Sequence, residues 1–279
     1  MCVPELSPVV LMVSPTGARR TKADHPAMPM TAAEIGRAAA ESAEAGANAI
    51  HVHVRDRDGR HTLDCDAYRG AIGAIEREVG PARLVIQATS EGFGIYAPAQ
   101  QSAAMRALRP GAVSVAIREL FPSAEQETPG ADFFAWLERE RIGTQCIVYN
   151  VEELLYFYQL RQRGIISGDR LTLMLVLGRY TTGAVSKPAD LLPLLQALDP
   201  AQPHHWMICA FGENEGACVL TAAALGGDMR VGFENNLQLA DGTIAPNPAA
   251  LVAQAAAGVP KVARRLATFA ETQAALRCG

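Results

Sequence analysis

The sequence has 279 residues with a formal net charge of -4, and 49% of the residues are hydrophobic while 19% are charged. This composition is typical of a globular protein with a sizeable core, and it offers no polycationic surface for nucleic acid. The apolar runs are too short to span a membrane, and the N-terminus lacks the regions of a secretion signal, so we expect a cytoplasmic protein. Six cysteines without a Cys-x-x-Cys spacing are expected to be reduced thiols.

Strands and helices are expected to alternate along the chain. The hydrophobic pattern predicts strands over Val9–Val13, Ala49–Val54, Leu84–Ala88, Ala112–Ala116, Gln145–Tyr149, Leu171–Leu177, Trp206–Ala210 and Arg230–Gly232. It predicts helices over Thr31–Ala45, Asp64–Val79, Pro98–Leu108, Ala131–Arg141, Glu152–Arg163, Pro188–Leu198, Asn214–Leu225 and Ala249–Thr268, and Thr31 and Glu34 form a capping box at the start of the first.

Eight strands, each followed by a helix, favour an α/β fold of the (β/α)8 type, a TIM barrel. We expect residues 1–279 to form one such domain, with elaborated loops at the carboxyl ends of the strands. A doubly wound open sheet is the alternative fold. The sequence lacks the Gly-x-Gly-x-x-Gly and Walker-type motifs of its nucleotide-binding versions.

The stretch from Ala49 to Asp56 contains the strongest functional signal. Residues two apart on a strand face the same side, so His51 and His53 direct both imidazoles to one side of the second strand. The carboxyl ends of barrel strands are where active sites lie, and Arg55 and Asp56 follow there. Because two buried rings need hydrogen-bond partners, the pair favours metal ligation over a packing role.

A zinc site with two histidines commonly has a carboxylate as its third protein ligand and one open position. Glu234, just after the eighth strand, is our candidate, because that strand lies two places from the second around a closed barrel. Glu213 and Glu215 are weaker alternatives, since the helix dipole explains a carboxylate in a first helical turn. Arg230 lies within the eighth strand, where a buried guanidinium needs an anionic partner such as Glu234.

Other polar residues have weaker assignments. Arg19 is the cation in the loop after the first strand that we expect to point inward and bind a carboxylate. Ser90 and Ser114 serve equally well as small packing residues or as site hydroxyls. His204 and His205 precede the seventh strand, at the end of the barrel opposite to the expected site, and we interpret them as structural or exposed.

Several segments of the chain match a known family: Thr16-Gly-Ala, Pro29-Met-Thr, Gly46-Ala, His51-Val-His-Val-Arg-Asp with Asp58-Gly59, and Gly226-Gly-Asp-Met-Arg-Val-Gly-Phe-Glu234. Through them the chain resembles the β-keto acid cleavage enzymes, often labelled 3-keto-5-aminohexanoate cleavage proteins. The resemblance runs nearly end to end, and its segments are specific only when taken together.

This resemblance implies a zinc-dependent TIM barrel, usually a homotetramer, that uses acetyl-CoA and a β-keto acid to make acetoacetate and a new acyl-CoA. Another divalent metal is the alternative to zinc. The family's functional positions fall on the following residues: metal ligands His51, His53 and Glu234, catalytic Arg230 and Ser90, and substrate-binding Thr16 and Ser114.

The chain departs from the family pattern at two positions. Asn235 stands where the family usually has an aspartate that works with the arginine in taking the substrate proton. An amide cannot accept a proton at neutral pH, so either another base serves, Glu91 or Glu215 for example, or the usual reaction is slow. Arg19 stands where the member acting on an amino-bearing substrate has a carboxylate, and we therefore expect a neutral or anionic substrate tail.

Two alternative functions stay open. A metal-dependent hydrolase of the same fold also uses a His-x-His pair, but it needs further histidines at later strand exits, and the remaining ones here are His25, His61, His204 and His205. A catalytically degenerate protein that only binds metal or acyl-CoA is the other alternative, and Asn235 is the residue that favours it.

Overall fold

Eight parallel strands close into a barrel in the computed structural model, which describes residues 7–169, 171–179, 183, 185–202 and 204–277. In chain order the strands are β1 (Leu11–Val13), β2 (Ala49–Val52), β3 (Val54–Arg55), β4 (His61–Thr62), β5 (Val85–Thr89), β6 (Ala112–Ala116), β7 (Gly143–Val148), β8 (Leu171–Leu177), β9 (Trp206–Ala210) and β10 (Asp228–Val231). The short strands β3 and β4 form an antiparallel hairpin outside the barrel.

The closed order β1-β10-β9-β8-β7-β6-β5-β2 confirms the predicted (β/α)8 barrel, and the open-sheet alternative is wrong. Strand β1 pairs with β10 through Met12 and Arg230, and with β2 through Met12 and Ala49. The exits of β2 and β10 therefore lie two places apart, as predicted for a closed barrel.

A helix follows each barrel strand. The helices are α1 (Ala32–Glu44), α2 (Cys65–Val79), α3 (Pro98–Leu108), α4 (Ile117–Leu120), α5 (Glu127–Arg139), α6 (Val151–Gln162), α7 (Leu191–Ala197), α8 (Glu215–Ala224), α9 (Pro248–Gly258) and α10 (Phe269–Ala275). The predicted capping box is present, because Thr31 Oγ1 accepts from the Glu34 N–H at 3.3 Å and Glu34 Oε2 accepts from the Thr31 N–H at 3.0 Å. Within the described ranges, every helix is too short or too polar to traverse a lipid bilayer.

Several predicted boundaries were wrong. The second strand ends at Val52 rather than Val54, since the chain turns there into the β3–β4 hairpin. The last predicted helix ends at Gly258, and a 3₁₀ turn over Val259–Val262 follows. Pro260 lacks an N–H and cannot continue an α-helical ladder, which accounts for the early end.

Alternation along the strands divides the core in two. One set of side chains packs between the sheet and the helices, and the other fills the barrel interior. The interior set consists of Val10, Met12, Ala49, Val85, Ala112, Ala116, Ile147, Met174, Val176, Met207, Cys209, Phe211 and Leu276. On β2, β5, β7 and β10, some of the interior-facing residues are polar. The barrel interior therefore contains polar side chains as well as apolar ones.

The cysteines fit the expected reduced state. Within the described residues Cys65, Cys146, Cys209 and Cys218 are free thiols. Cys2 and Cys278 lie outside the described residues.

Candidate metal centre

The exits of β2 and β10 bring two imidazoles and a carboxylate together. The Nε2 atoms of His51 and His53 face each other at 3.1 Å. Glu234 places Oε2 3.7 Å from His51 Nε2 and Oε1 3.6 Å from His53 Nε2. Both imidazoles are fully buried, and the glutamate side chain is 10% exposed. Three predicted ligand side chains therefore converge on one point at the carboxyl end of the barrel.

The spacing of these atoms fits one divalent cation. Two donors held about 2.0–2.2 Å from a tetrahedral ion lie about 3.4 Å from each other, close to the three observed separations. Burial lowers the pKa of His51 to about 3, so this ring is neutral and has a lone pair to give. Burial opposes ionisation of Glu234, but Arg230 and His53 hold its pKa well below the usual value. His51 and Glu234 are thus in the protonation states that a metal requires.

Two glycines allow the close approach of Glu234. Gly232 follows β10 with φ of +144°, and a Cβ atom there would lie 2.1 Å from the carbonyl oxygen of Ser14. Gly17 packs on the glutamate itself, since a Cβ at this position would lie 2.6 Å from Glu234 Cγ. The Ser14 hydroxyl also donates to Glu234 Oε2. The loop after β1 and the turn after β10 therefore fix the carboxylate together.

A hydrogen-bonded chain inside the barrel fixes the first imidazole. His51 Nδ1 donates to Gln87 Oε1 at 2.8 Å, and Gln87 Nε2 donates to Gln145 Oε1 at 3.2 Å. Gln145 Nε2 lies 3.9 Å from the sulfur of Met207. With its proton on Nδ1, the His51 ring directs the lone pair of Nε2 toward the point shared with His53.

Arg230 is a buried cation beside the same carboxylate. Its Nη2 lies 3.5 Å from Glu234 Oε1 and 3.1 Å from the sulfur of Cys209. Its Nε and Nη1 have no hydrogen-bond partner within the described part of the chain. Because unpaired buried donors are costly, the guanidinium is suited to an anionic group that enters from the pocket.

A pocket of about 240 Å³ opens next to this cluster. Among the described residues, four arginines and two glutamates are the charged side chains of its wall, so its charge is net positive. The lining residues are Gly17, Ala18, Arg19, Arg20, Glu91, Phe93, Ile147, Tyr149, Val176, Arg179, Phe211, Arg230 and Glu234. Arg19, which we expected to point inward, is an exposed residue that lies in this wall, and its guanidinium lies 5.9 Å from the ring centroid of Phe93.

The loop after β5 brings a fourth candidate ligand to the cluster. One side-chain oxygen of Glu91 lies within 4.8 Å of the ligand atoms of His51, His53 and Glu234. The Tyr149 hydroxyl donates to Glu91 Oε1 at 2.7 Å, and burial raises the pKa of this carboxyl above its usual value. Among the described residues, Glu91 has no direct contact with a cationic side chain, in contrast to Glu234, which lies beside Arg230.

The hydroxyl residues of the sequence analysis lie beside the pocket but do not line it. Ser90 and Ser114 are fully buried, and their hydroxyls bond to the Ser114 carbonyl oxygen at 3.1 Å and to Thr89 Oγ1 at 2.9 Å respectively. Thr16 is buried in the loop after β1. Asn235 is also fully buried, and neither polar atom of its side chain has a partner within the described ranges.

The weaker alternatives for the third ligand lie elsewhere. Glu215 is buried at the start of α8, where its oxygens accept from the Gly232 N–H at 3.2 Å and from Asn236 Nδ2 at 3.3 Å. Burial raises the pKa of Glu215 to about 8. Glu213 is exposed. At the opposite end of the barrel, His205 Nε2 bonds to Asp228, in agreement with a structural role.

Sequence reasoning missed several residues that shape this site. Gln87 gave a detectable signal, because it is a polar residue at an interior position of an otherwise apolar strand. Tyr149 and Phe93 gave none, since aromatic residues near strand ends are common in barrels. His61 was also missed, although its Nε2 donates to the Glu91 carbonyl oxygen at 2.8 Å and its ring lies 5.6 Å from that of His53.

The fold and the site together define a TIM barrel with a candidate metal centre at the carboxyl ends of its strands. The chain matches the beta-keto acid cleavage enzyme family over residues 8–277, and it belongs to this family.

Two relatives with named activities are similar along nearly their whole length. The 3-oxoadipate:acetyl-CoA acetyltransferase of Cupriavidus necator is 29% identical over 276 residues, which cover 96% of this chain and 94% of the relative. The 3-keto-5-aminohexanoate cleavage enzyme of Fusobacterium nucleatum is 26% identical over 265 residues, covering 93% and 94% respectively.

Among solved structures, the apo structure of ObcA is similar with a TM-score of 0.71 and 17% sequence identity. The similarity covers 89% of this chain and 65% of ObcA, and it supports the barrel fold alone.

Proposed function

We propose that this chain condenses a β-keto acid with acetyl-CoA and releases acetoacetate together with the acyl-CoA of the remaining carbon chain. The observation that carries the proposal is the convergence of His51, His53 and Glu234 beside the buried guanidinium of Arg230. Membership in the beta-keto acid cleavage enzyme family supports the same class of reaction. The name of the Cupriavidus necator relative includes both acetyl-CoA and a β-keto acid.

We propose Zn²⁺ as the resident ion, with another divalent metal as the alternative. Two imidazoles and one carboxylate form a donor set that zinc enzymes use with a further position open to substrate. An ion held by these residues would supply a Lewis acid next to the keto oxygen of the substrate and so make its methylene more acidic. Arg230 directs its unpartnered Nε and Nη1 donors to an anionic oxygen of the same acid.

The substrate tail in this proposal is anionic, as in a β-keto diacid. The pocket wall contains Arg19, Arg20 and Arg179 in addition to Arg230. Arg19 has no carboxylate partner within the described residues, and a guanidinium binds a free carboxylate in a bidentate manner. A cationic amino group on the substrate would instead be repelled by this wall.

The proposal is tested by incubating the protein with acetyl-CoA and a panel of acids that includes 3-oxoadipate and an amino-bearing acid. We expect acetoacetate and a new acyl-CoA from the diacid, and a loss of both after chelation. Arg19→Ala should lower kcat/KM for the diacid by about 10- to 100-fold and leave a neutral-tailed acid nearly unchanged. A preference for the cationic acid overturns the tail assignment, and a rate that survives complete metal removal overturns the metal-dependent reaction.

The remaining site residues stay proposals with defined tests. We assign Ser90 to catalysis and Ser114 and Thr16 to substrate binding, and support comes from their burial beside the pocket. Ser90→Ala and Ser114→Ala should raise KM or lower kcat without loss of metal. Asn235→Asp, which introduces the usual family carboxylate, should raise kcat if the site is degenerate at this position.

We further propose that the protein is a cytoplasmic homotetramer. The four free cysteines in the described residues agree with a reducing compartment. Leu155 on α6 and Leu192 on α7 are 47% and 51% exposed, and a second copy could cover them. Light scattering coupled to size exclusion measures the mass, and a monomer at micromolar concentration would contradict the assembly.

A further inference from the structure

The proposed reaction requires a group that removes a proton from the methylene of the β-keto acid, and Asn235 cannot do so. Its side-chain amide is fully buried, and neither Oδ1 nor Nδ2 has a partner within the described part of the chain. An amide has no basic lone pair at neutral pH, so the proposed reaction requires a different proton acceptor. The inference that follows rests on the proposed function.

Two carboxylates of the described residues line the pocket, and one of them already has several charged or donating partners. Glu234 lies against both imidazoles, receives the hydroxyl of Ser14 and faces Arg230. Glu91 is the other. Glu234 is a weak base because so many positive or hydrogen-bond-donating groups surround it. Glu91 is therefore the carboxylate on the pocket wall that is available as a proton acceptor.

The other acidic residues nearby are occupied behind the wall. Glu215 accepts from the Gly232 N–H and from Asn236, and it does not line the pocket. Glu119 accepts from the backbone N–H groups of Gly92 and Phe93, at 2.6 and 3.2 Å. Its contacts hold the loop that follows Glu91, so it positions this residue rather than facing the substrate.

Glu91 is held with one oxygen committed and one free. Its backbone N–H donates to Thr89 Oγ1 at 3.2 Å, and its carbonyl oxygen accepts from His61 Nε2 at 2.8 Å. The Tyr149 hydroxyl binds Oε1 at 2.7 Å. Oε2 has no hydrogen bond among the described residues. A side-chain oxygen of Glu91 lies within 4.8 Å of the ligand atoms of the three-residue cluster, so it borders the space in which the keto acid binds.

We propose that Glu91 is the general base of this enzyme and replaces the missing aspartate. The Glu91 carboxylate takes one proton from the carbon between the keto and carboxyl groups, and the C–H electron pair becomes the nucleophile that attacks the thioester carbonyl of acetyl-CoA. The thiolate of CoA leaves and then attacks the original keto carbon, which breaks the old carbon–carbon bond. The protonated Glu91 returns its proton to the carbanion of acetoacetate, so the residue is regenerated in each turnover.

The test measures proton abstraction separately from acyl transfer. The metal-loaded protein is incubated in D₂O with 3-oxoadipate and no acetyl-CoA, and deuterium at the methylene carbon is followed by NMR above the uncatalysed background. Glu91→Gln keeps the shape of the side chain and should slow exchange by about 100-fold or more. The double variant Glu91→Gln, Asn235→Asp should exchange the proton at least about tenfold faster than Glu91→Gln alone.

Two controls separate this role from others. Glu213→Gln makes the same chemical change at an exposed carboxylate near the same barrel end, and its exchange rate should equal that of the unmodified protein. Metal affinity of Glu91→Gln is measured by chelator competition and should change by less than about tenfold. A larger loss of affinity identifies Glu91 as a fourth metal ligand and overturns the base assignment.

The assignment is also overturned if Glu91→Gln exchanges the proton as fast as the unmodified protein. In that case the proposed function still stands, provided that the unmodified protein transfers the acyl group. If the unmodified protein neither exchanges the proton nor transfers an acyl group with any acid of the panel, the proposed function and the role of Glu91 both fail.

Discussion

Replacement of Gln87 by methionine tests how the barrel interior prepares the metal site. Gln87 Oε1 accepts from His51 Nδ1 at 2.8 Å, and both side chains are almost fully buried. Methionine keeps the approximate side-chain volume but removes the strong acceptor. Without this acceptor, the tautomer of His51 with its proton on Nδ1 is no longer stabilised. Loss of such a partner weakens metal binding by about 10- to 100-fold, or about 1.4–2.8 kcal/mol.

The same substitution also affects folding stability, which must be separated from the metal effect. It removes the hydrogen bond of 3.2 Å between Gln87 and Gln145 and leaves Gln145 Oε1 buried. That loss costs about 1–3 kcal/mol in the free energy of unfolding. The matched control is Gln145→Met, which removes the same hydrogen bond but does not contact His51. We expect Gln87→Met to lose more stability than Gln145→Met, because it also leaves the buried His51 N–H without its acceptor. Only Gln87→Met is expected to lose metal affinity.

Metal dissociation constants are measured by competition with a chromophoric chelator, and unfolding free energies of the metal-free proteins by urea titration. Gln87→Glu, which retains an acceptor for the His51 N–H, should bind metal more tightly than Gln87→Met. Equal metal affinity for Gln87→Met and the unmodified protein would refute the reasoning, because the Nδ1 hydrogen bond would then have no effect on the ligand.

Three further predictions concern the carboxylates and the ion. Gly17→Ala places a methyl group 2.6 Å from Glu234 Cγ, and we expect at least about a tenfold loss of metal affinity by the same chelator assay. Burial raises the pKa of Glu215 to about 8, so the native state binds an extra proton between the unfolded pKa and pH 8, and stability falls as pH rises through this window. In urea titrations at pH 5 to 9, Glu215→Gln should make the free energy of unfolding less dependent on pH. At low pH the variant should lose about 1–3 kcal/mol of this free energy, because the hydrogen bond from the Gly232 N–H is weakened. Removal of the metal should lower the melting temperature, and restoring an ion at about 100 times its dissociation constant should raise the unfolding free energy by about 2.7 kcal/mol. An unchanged melting temperature would show that the ion is not bound by the folded state.

The sequence predicted the features that depend on local pattern and on barrel symmetry. His51 and His53 share a side of one strand because alternation fixes it, and Glu234 could be assigned because the closed barrel places its strand exit near theirs. The clearest errors were at the ends of secondary-structure elements. The helix α9 ends at Gly258, for example, although the apolar pattern continues past Pro260.

The details of the site depend on tertiary register, which a single sequence does not contain. Gln87 and Gln145 meet because β5, β6 and β7 pair in a particular register. Glu91 reaches the pocket because Glu119, from the next strand exit, binds the backbone of its loop. Neither contact follows from hydrophobic periodicity, so the sequence alone does not distinguish Glu91 from Glu215 as the proton acceptor.

The two departures from the family pattern change the charge around the site in the same direction. The resemblance implies a carboxylate at the position of Asn235 and, in the member that takes an amino-bearing acid, another at the position of Arg19. Losing the first removes one negative charge, and the second change replaces a negative charge with a positive one. A diacid has two negative charges, whereas an amino-bearing acid has one of each sign. Both changes therefore support the proposed preference for a diacid.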